Sequence, residues 1–155
     1  MIWEELNQAL IVTGMEASDY KDVMKNLGSV VIKEGYAKES YVDALIAREE
    51  EYPTGLDVDG MGVAIPHTSV EHVKKAGIAI AALKQPVTFT QMGTDDETVE
   101  VSLVFMLAVV DPNAHIDKLQ RIVEMIQDKE MLGKLMKADA PEEMIRMIRE
   151  KEKTI

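Results

Sequence analysis

A chain of 155 residues, 46% of them apolar, has room for about one domain and enough hydrocarbon for a packed core, which excludes a wholly disordered protein. Its 17 basic and 28 acidic residues leave a net charge of −11, which repels nucleic acid and anionic membrane surfaces and suits a basic protein partner. No cysteine is present, so disulfides, thiolate-bound metal and thiol catalysis are excluded.

The opening residues lack the basic and apolar regions of a secretory signal, and the longest apolar run, 103–110, is far short of the ~20 residues that span a bilayer. A cytoplasmic location is expected, with no direct membrane insertion.

In chain order, a short strand is predicted over 9–12. Ser18 or Asp19 then caps a helix whose Val23, Met24, Leu27, Val30 and Val31 follow helical spacing, ended by Gly35. Ser40 and Asp43 have capping-box spacing and open a second helix with Val42, Leu45 and Ile46 inward, stopping before Pro53. The period then changes, and 63–65, 77–83, 87–90 and 99–110 read as strands. Two of these, 77–83 and 103–110, are apolar on successive residues, so both of their faces should be covered. The short link 84–86 suggests an antiparallel pair.

Asp111-Pro112-Asn113 starts a helix with Ile116, Leu119, Ile122, Val123 and Ile126 on one stripe. A helix over 129–137 and a last one after Pro141, carrying Met144, Ile145 and Ile148, complete the chain. Most methionines fall where gap-filling core residues are needed. The expected architecture is α/β (α+β): a single domain, 1–155, with a mixed sheet of four to five strands and helices on both faces.

The segment Gly-Met-Gly-Val-Ala-Ile-Pro-His-Thr-Ser-Val-Glu over 60–71 concentrates the chemistry. The apolar run ends at Pro66, and Thr68 and Glu71 have capping-box spacing, so His67 is expected just before a helix start. Free N–H groups and the dipole there attract phosphate, which suits a histidine that carries a phosphoryl group, with Thr68 and Ser69 touching it. Such a site needs a cation. Arg48, near its helix end, is a candidate, the alternative being a solvated arginine paired with Glu49, Glu50 or Glu51. His115, in the first turn of its helix, is placed to donate to a phosphoryl oxygen or else to face solvent. His72 is expected to be solvent-facing.

Other chemistries fit less well. His67 and Glu71-His72 do not match the spacing of zinc-protease motifs. A metal site from His67, Glu71 and His115 has no specific spacing support. No Gly-rich loop with Lys-Ser/Thr exists to cradle a nucleotide triphosphate. No cofactor or metal is expected.

Gly-x-Gly-Val-Ala-Ile-Pro-His-Thr resembles the active-site segment of the enzyme IIA domains of the bacterial phosphoenolpyruvate-dependent sugar phosphotransferase system, fructose–mannitol class. Ala44-Leu45-Ile46-Ala47-Arg48-Glu49 is similar to that family's Leu-x-x-Arg-Glu helix end, and His115-Ile116-Asp117-Lys118-Leu119 resembles its second-histidine helix. The stretch 54–67 is longer than in many members, and Glu51-Tyr52-Pro53-Thr54-Gly55 looks more like the galactitol branch.

The resemblance implies that His67 takes phosphate from the histidine-containing phosphocarrier protein and passes it to a cysteine on a cognate enzyme IIB, which serves membrane enzyme IIC. It also implies that Arg48 and His115 stabilise the phosphoryl charge, and that the fold is a mixed sheet flanked by helices. Use as a regulatory module, whose phosphorylation state controls a protein partner, is the alternative.

Overall fold

The computed structural model describes residues 2–154; within them the side chains of Ala114 and His115 lie outside the described set. Five strands form one mixed sheet: β1 (Leu6–Met15), β2 (Gly55–Val58), β3 (Met61–Ala64), β4 (Gly77–Thr90) and β5 (Thr98–Ala108), in the order β1-β4-β5-β3-β2. The β4–β5 and β2–β3 pairs are antiparallel, and β1–β4 and β3–β5 are parallel.

The α-helices among the described residues are α1 (Tyr20–Lys33), α2 (Tyr41–Glu51), α3 (Pro112–Ile126), α4 (Lys129–Lys137) and α5 (Pro141–Glu152). Their starts follow the local chemistry: Asp19, Asp111 and Asp128 each accept a backbone N–H of the first turn, and Pro112 and Pro141 occupy positions where a missing N–H costs nothing. The expected α/β class, with helices on both faces of a mixed sheet, is what the chain adopts.

Alternation along the two central strands divides the core. Ile78, Ile80, Leu103, Phe105 and Leu107 pack with Ile122, Met125, Leu132, Leu135, Met144 and Ile148 from α3, α4 and α5. Ala79, Ala81, Leu83, Val104 and Met106 face the other way, against Val23, Met24, Leu27, Tyr41 and Leu45 of α1 and α2. The period of 2 thus sends successive residues into two separate cores, which is why these runs are apolar throughout. The chain ends are also tied together. The fully buried Glu152 carboxylate accepts the N–H groups of Ile2 and Trp3 at 2.9 and 2.7 Å and pairs with Arg121 Nε at 3.3 Å.

Several expectations are corrected. The strand near the start is ten residues long, not four, because it pairs with β4 at both ends and in the middle, from Leu6 to Met15, with two irregularities between. Residues 84–86 do not connect two antiparallel strands. They form an irregularity inside one 14-residue strand, where pairing with β5 breaks between Ala82 and Val87, and an exposed Pro86 is tolerated there because no ladder bond is needed. The last strand ends at Ala108 and not at Val110. Ile116, placed on the inward stripe of α3, is 59% exposed.

The longer stretch before the Pro-His segment contains β2, which turns into β3 through Asp59 (φ 50°) and Gly60 (φ 90°). Two consecutive positive φ values in a two-residue loop are what Asp-Gly supplies in a tight hairpin.

Two capping boxes are also absent. Ser40 makes no side-chain cap on α2, and its hydroxyl instead meets His72 Nδ1 at 2.8 Å. No α-helix follows Thr68; Val70–His72 forms a single 3-10 turn.

Candidate functional site: the Pro-His segment at the end of β3

β3 lies parallel to β5, with Val63 opposite Leu103 and Ala64 opposite Val104, and the chain continues past the ladder as Ile65-Pro66-His67. Two backbone bonds hold this extension. Ile65 N–H donates to the Thr54 carbonyl at 3.3 Å, and Leu107 N–H donates to the Pro66 carbonyl at 2.9 Å. Val63, Ala64 and Ile65 are 0–1% exposed, so the segment reaches the surface from a rigid base. Gly62 is required for that approach, since a Cβ there would sit 1.9 Å from the Glu100 carbonyl oxygen.

His67 emerges half-buried. Its Nδ1 lies 2.9 Å from the Ile65 carbonyl oxygen. A carbonyl can only accept, so Nδ1 carries the proton and, in the neutral ring, Nε2 carries the lone pair. This is the tautomer a nucleophilic imidazole needs if Nε2 is the reacting atom.

The ring borders an open cleft of about 540 Å³, lined also by Glu51, Tyr52, Pro53, Thr54 and residues 92–95 of the β4–β5 connection. That connection is held beside β2 by the Met92 N–H, which donates to the Gly55 carbonyl at 2.7 Å. Tyr52 and Met92 are 52% and 41% exposed, which puts apolar surface beside the imidazole.

Arg48 is exposed in the last turn of α2. Its guanidinium stacks over the Tyr52 ring, 4.2 Å from the centroid, and among the described residues it has no carboxylate partner. The alternative of an arginine tied to Glu49, Glu50 or Glu51 is not what the chain adopts. Tyr52 therefore links Arg48 to the cleft that His67 borders.

His115 belongs to the first turn of α3, which begins a few residues beyond the end of β5. The placement of its side chain lies outside the described residues. Thr68 is buried at 7%, while the Ser69 hydroxyl donates to Glu71 Oε1 at 2.9 Å. The helix dipole invoked for both is missing, because a three-residue turn sums too few peptide dipoles. His72 is less solvent-facing than expected: its side chain is 25% exposed, with Ser40 on Nδ1 and Glu71 3.6 Å from Nε2. Among the described residues no three His, Asp or Glu side chains converge as metal ligands.

Two residues of α2 beside the site take on roles that the sequence reading does not give them. Tyr41, buried at the start of α2, donates its hydroxyl to the Leu107 carbonyl at 2.7 Å. Glu49, 5% exposed, accepts both the N–H and the hydroxyl of Thr54, each at 2.7 Å. Burial pushes this carboxyl above its ordinary value, opposed by the two hydrogen bonds from Thr54. The signal for Glu49 was in the sequence, because Tyr41, Leu45 and Glu49 repeat at a spacing of four and so share one helix face.

This architecture and its Pro-His segment belong with the IIA class of phosphotransferase proteins. The model of the family described as "Phosphoenolpyruvate-dependent sugar phosphotransferase system, EIIA 2" matches residues 4–151, and the chain belongs to that family. It is 31% identical over 131 residues to the PTS system galactitol-specific EIIA component of Escherichia coli strain K12, covering 84% of this chain and 87% of that one. Among solved structures, the Nitrogen Regulatory Protein IIA-Ntr of Neisseria meningitidis matches with a TM-score of 0.75 at 27% identity, over 95% of this chain and 98% of that one. The mannitol IIA of Escherichia coli, solved in complex with phosphorylated enzyme IIB, matches with a TM-score of 0.76 at 23% identity, over 93% and 96%. Members of the family are components of a phosphotransferase system. Among the described residues no helix is long and apolar enough to cross a membrane.

Proposed function

We propose that this chain is a cytoplasmic phosphocarrier that accepts a phosphoryl group on His67 from the histidine-containing phosphocarrier protein and delivers it to a cysteine of a cognate enzyme IIB. The observation that carries this is the 2.9 Å contact of Nδ1 with the Ile65 carbonyl, because it leaves Nε2 as the nucleophilic nitrogen of a half-buried ring. In the forward step the N–P bond of the donor's phosphohistidine breaks as the Nε2–P bond forms. The ring becomes cationic, and its Nδ1–H keeps pointing at a carbonyl dipole that favours positive charge. That charge keeps the imidazole a good leaving group for the second step, in which a cysteine sulfur takes the phosphoryl group.

Arg48 supplies positive charge for the transferring oxygens by swinging from its stack on Tyr52, and His115 donates to them from α3. Thr68 and Ser69 follow His67 directly and are the nearest backbone and hydroxyl groups in sequence to offer the phosphoryl oxygens hydrogen bonds, without a helix dipole behind them. The exposed Tyr52 and Met92, with Glu51 and Asp95 at the cleft, offer a docking protein apolar and acidic surface together. The enzyme IIB complex of the mannitol relative supports IIB as acceptor, and the galactitol-specific relative supports galactitol or a related polyol as the cargo of the assembled system, with membrane enzyme IIC as its transporter. Neither sugar nor cofactor needs to bind here.

Reconstitution tests this. With phosphoenolpyruvate, enzyme I and the phosphocarrier protein, the chain is expected to pass phosphate to a galactitol-type IIB faster than to a mannitol-type IIB. The similarity to IIA-Ntr supports a second, regulatory use of the same phosphohistidine. Transfer to no IIB, together with capture of a partner by only one phosphorylation state, would favour that use.

A further inference from the structure

The run Arg48-Glu49-Glu50-Glu51 puts four charged residues at the end of α2, yet only Glu49 is buried. Among the described residues no cation pairs with it. A carboxylate withdrawn from water without a counter-ion is costly, so its retention calls for a geometric reason. Its two oxygens take Thr54 N–H and Thr54 Oγ–H in a fork, both at 2.7 Å, where Thr54 is only 3% exposed. Thr54 in turn accepts Ile65 N–H on its carbonyl, and Ile65 accepts His67 Nδ1–H on its own.

The geometry points to Glu49 as a positioning residue, which clamps Thr54 so that the Ile65 carbonyl is held where it selects the Nδ1–H tautomer of His67. This rests on the phosphocarrier role proposed for His67 and adds a determinant of its reactivity. The link carries position and not polarisation: the four backbone groups belong to four different peptide units, so no single amide passes charge along the chain. Charge on Glu49 is accordingly dispensable. A neutral carboxamide makes the same fork, its oxygen accepting Thr54 N–H and its NH₂ donating to a Thr54 hydroxyl that turns acceptor. Thr54 also lines the cleft and directly precedes Gly55, where a Cβ would meet the Thr90 carbonyl at 2.7 Å, so a displaced Thr54 has little room to be accommodated.

The test compares wild type, Glu49→Gln and Glu49→Ala by two readouts: the ¹⁵N NMR tautomer of His67 in the unphosphorylated protein, and the rate of phosphoryl uptake per folded molecule. Glu49→Gln is expected to keep both. Glu49→Ala is expected to lose the dominance of the Nδ1–H form and to slow uptake by about tenfold or more, the scale of a small misplacement of a reacting group.

A Glu49→Ala protein with wild-type tautomer and rate overturns the proposal, leaving Glu49 a fold-stabilising residue. A Glu49→Gln protein as impaired as Glu49→Ala overturns it in favour of a charge effect. Should Glu49→Ala fail to fold, Thr54→Val removes one arm of the fork, and an unchanged tautomer there overturns the proposal as well. If wild type takes up no phosphate, the phosphocarrier role fails, while the tautomer still tests the clamp.

Discussion

The Tyr41 hydroxyl donates to the Leu107 carbonyl at 2.7 Å, joining the first residue of α2 to the end of β5. Leu107 N–H donates to Pro66, and so α2 holds the His67 segment from both of its ends: Tyr41 through Leu107, and Glu49 through Thr54. Burial raises the phenol well above its usual pKa, so it acts as a permanent donor. Tyr41→Phe leaves a buried carbonyl without this partner and is expected to cost about 1–2 kcal/mol in urea unfolding. An unchanged midpoint would show that the bond contributes nothing.

Arg48 is exposed and stacks on the Tyr52 ring, a contact of about 0.5–1 kcal/mol at a surface site. Arg48→Ala is therefore expected to unfold at nearly the wild-type denaturant concentration yet slow phosphoryl transfer about a hundredfold, the scale of losing one charge-stabilising donor. Rapid-quench rates on a protein of verified stability check this, and wild-type rates would remove Arg48 from the site.

Two glycines make a paired test of packing. Gly62→Ala drives a methyl group into the Glu100 backbone between β3 and β5 and is expected to cost about 3 kcal/mol or more. Gly133, in α4, has open space around its Cβ position and no positive φ, so Gly133→Ala is expected to stabilise by about 1 kcal/mol. Thermal unfolding of both proteins gives the signs; an undiminished midpoint for Gly62→Ala would contradict the packing described for β3, and a lowered one for Gly133→Ala the open space described in α4.

Glu49 also gives a pH signature. Its folded pKa lies above the ordinary glutamate value of 4.5, so the native state binds the proton more tightly than the unfolded chain. The stabilisation linked to this proton is complete below that value and is lost as pH rises through the raised one. The advantage of Glu49→Gln over wild type should therefore widen as pH rises above the ordinary glutamate value of 4.5 in paired urea titrations. A gap that is constant or narrows with pH would contradict the sign.

Long periodic segments were legible from residue types alone. The stripes of α1 and α5, that of α3 apart from the exposed Ile116, and the two-faced apolar strands needed nothing beyond spacing, and Pro66-His67 is conspicuous as the end of a buried run. What misled was local chemistry overruled by tertiary pairing. Thr68 and Glu71 have capping-box spacing, but Ala37 bridges Val73 and Lys38 N–H takes the His72 carbonyl, which draws the chain back into extended form after one 3-10 turn. Likewise Pro86 looks like a strand end until β5 pairs on either side of it. Asp59-Gly60 has the chemistry of a hairpin turn, but it lies in the stretch 54–67, whose extra length over many members hides the β2–β3 pairing. Glu49 was weighed as an ion pair for Arg48, although its helical spacing put it on the buried face.

The most direct measurement locates the phosphate itself. Wild type and His67→Ala, incubated with phosphoenolpyruvate, enzyme I and the phosphocarrier protein, are compared for acid-labile phosphate, and the modified nitrogen is identified by ³¹P–¹⁵N NMR. One phosphoryl group on Nε2 of His67, absent from the folded variant, is the expected result. Equal labelling of His67→Ala, or a phosphoryl group on Nδ1, would contradict the account.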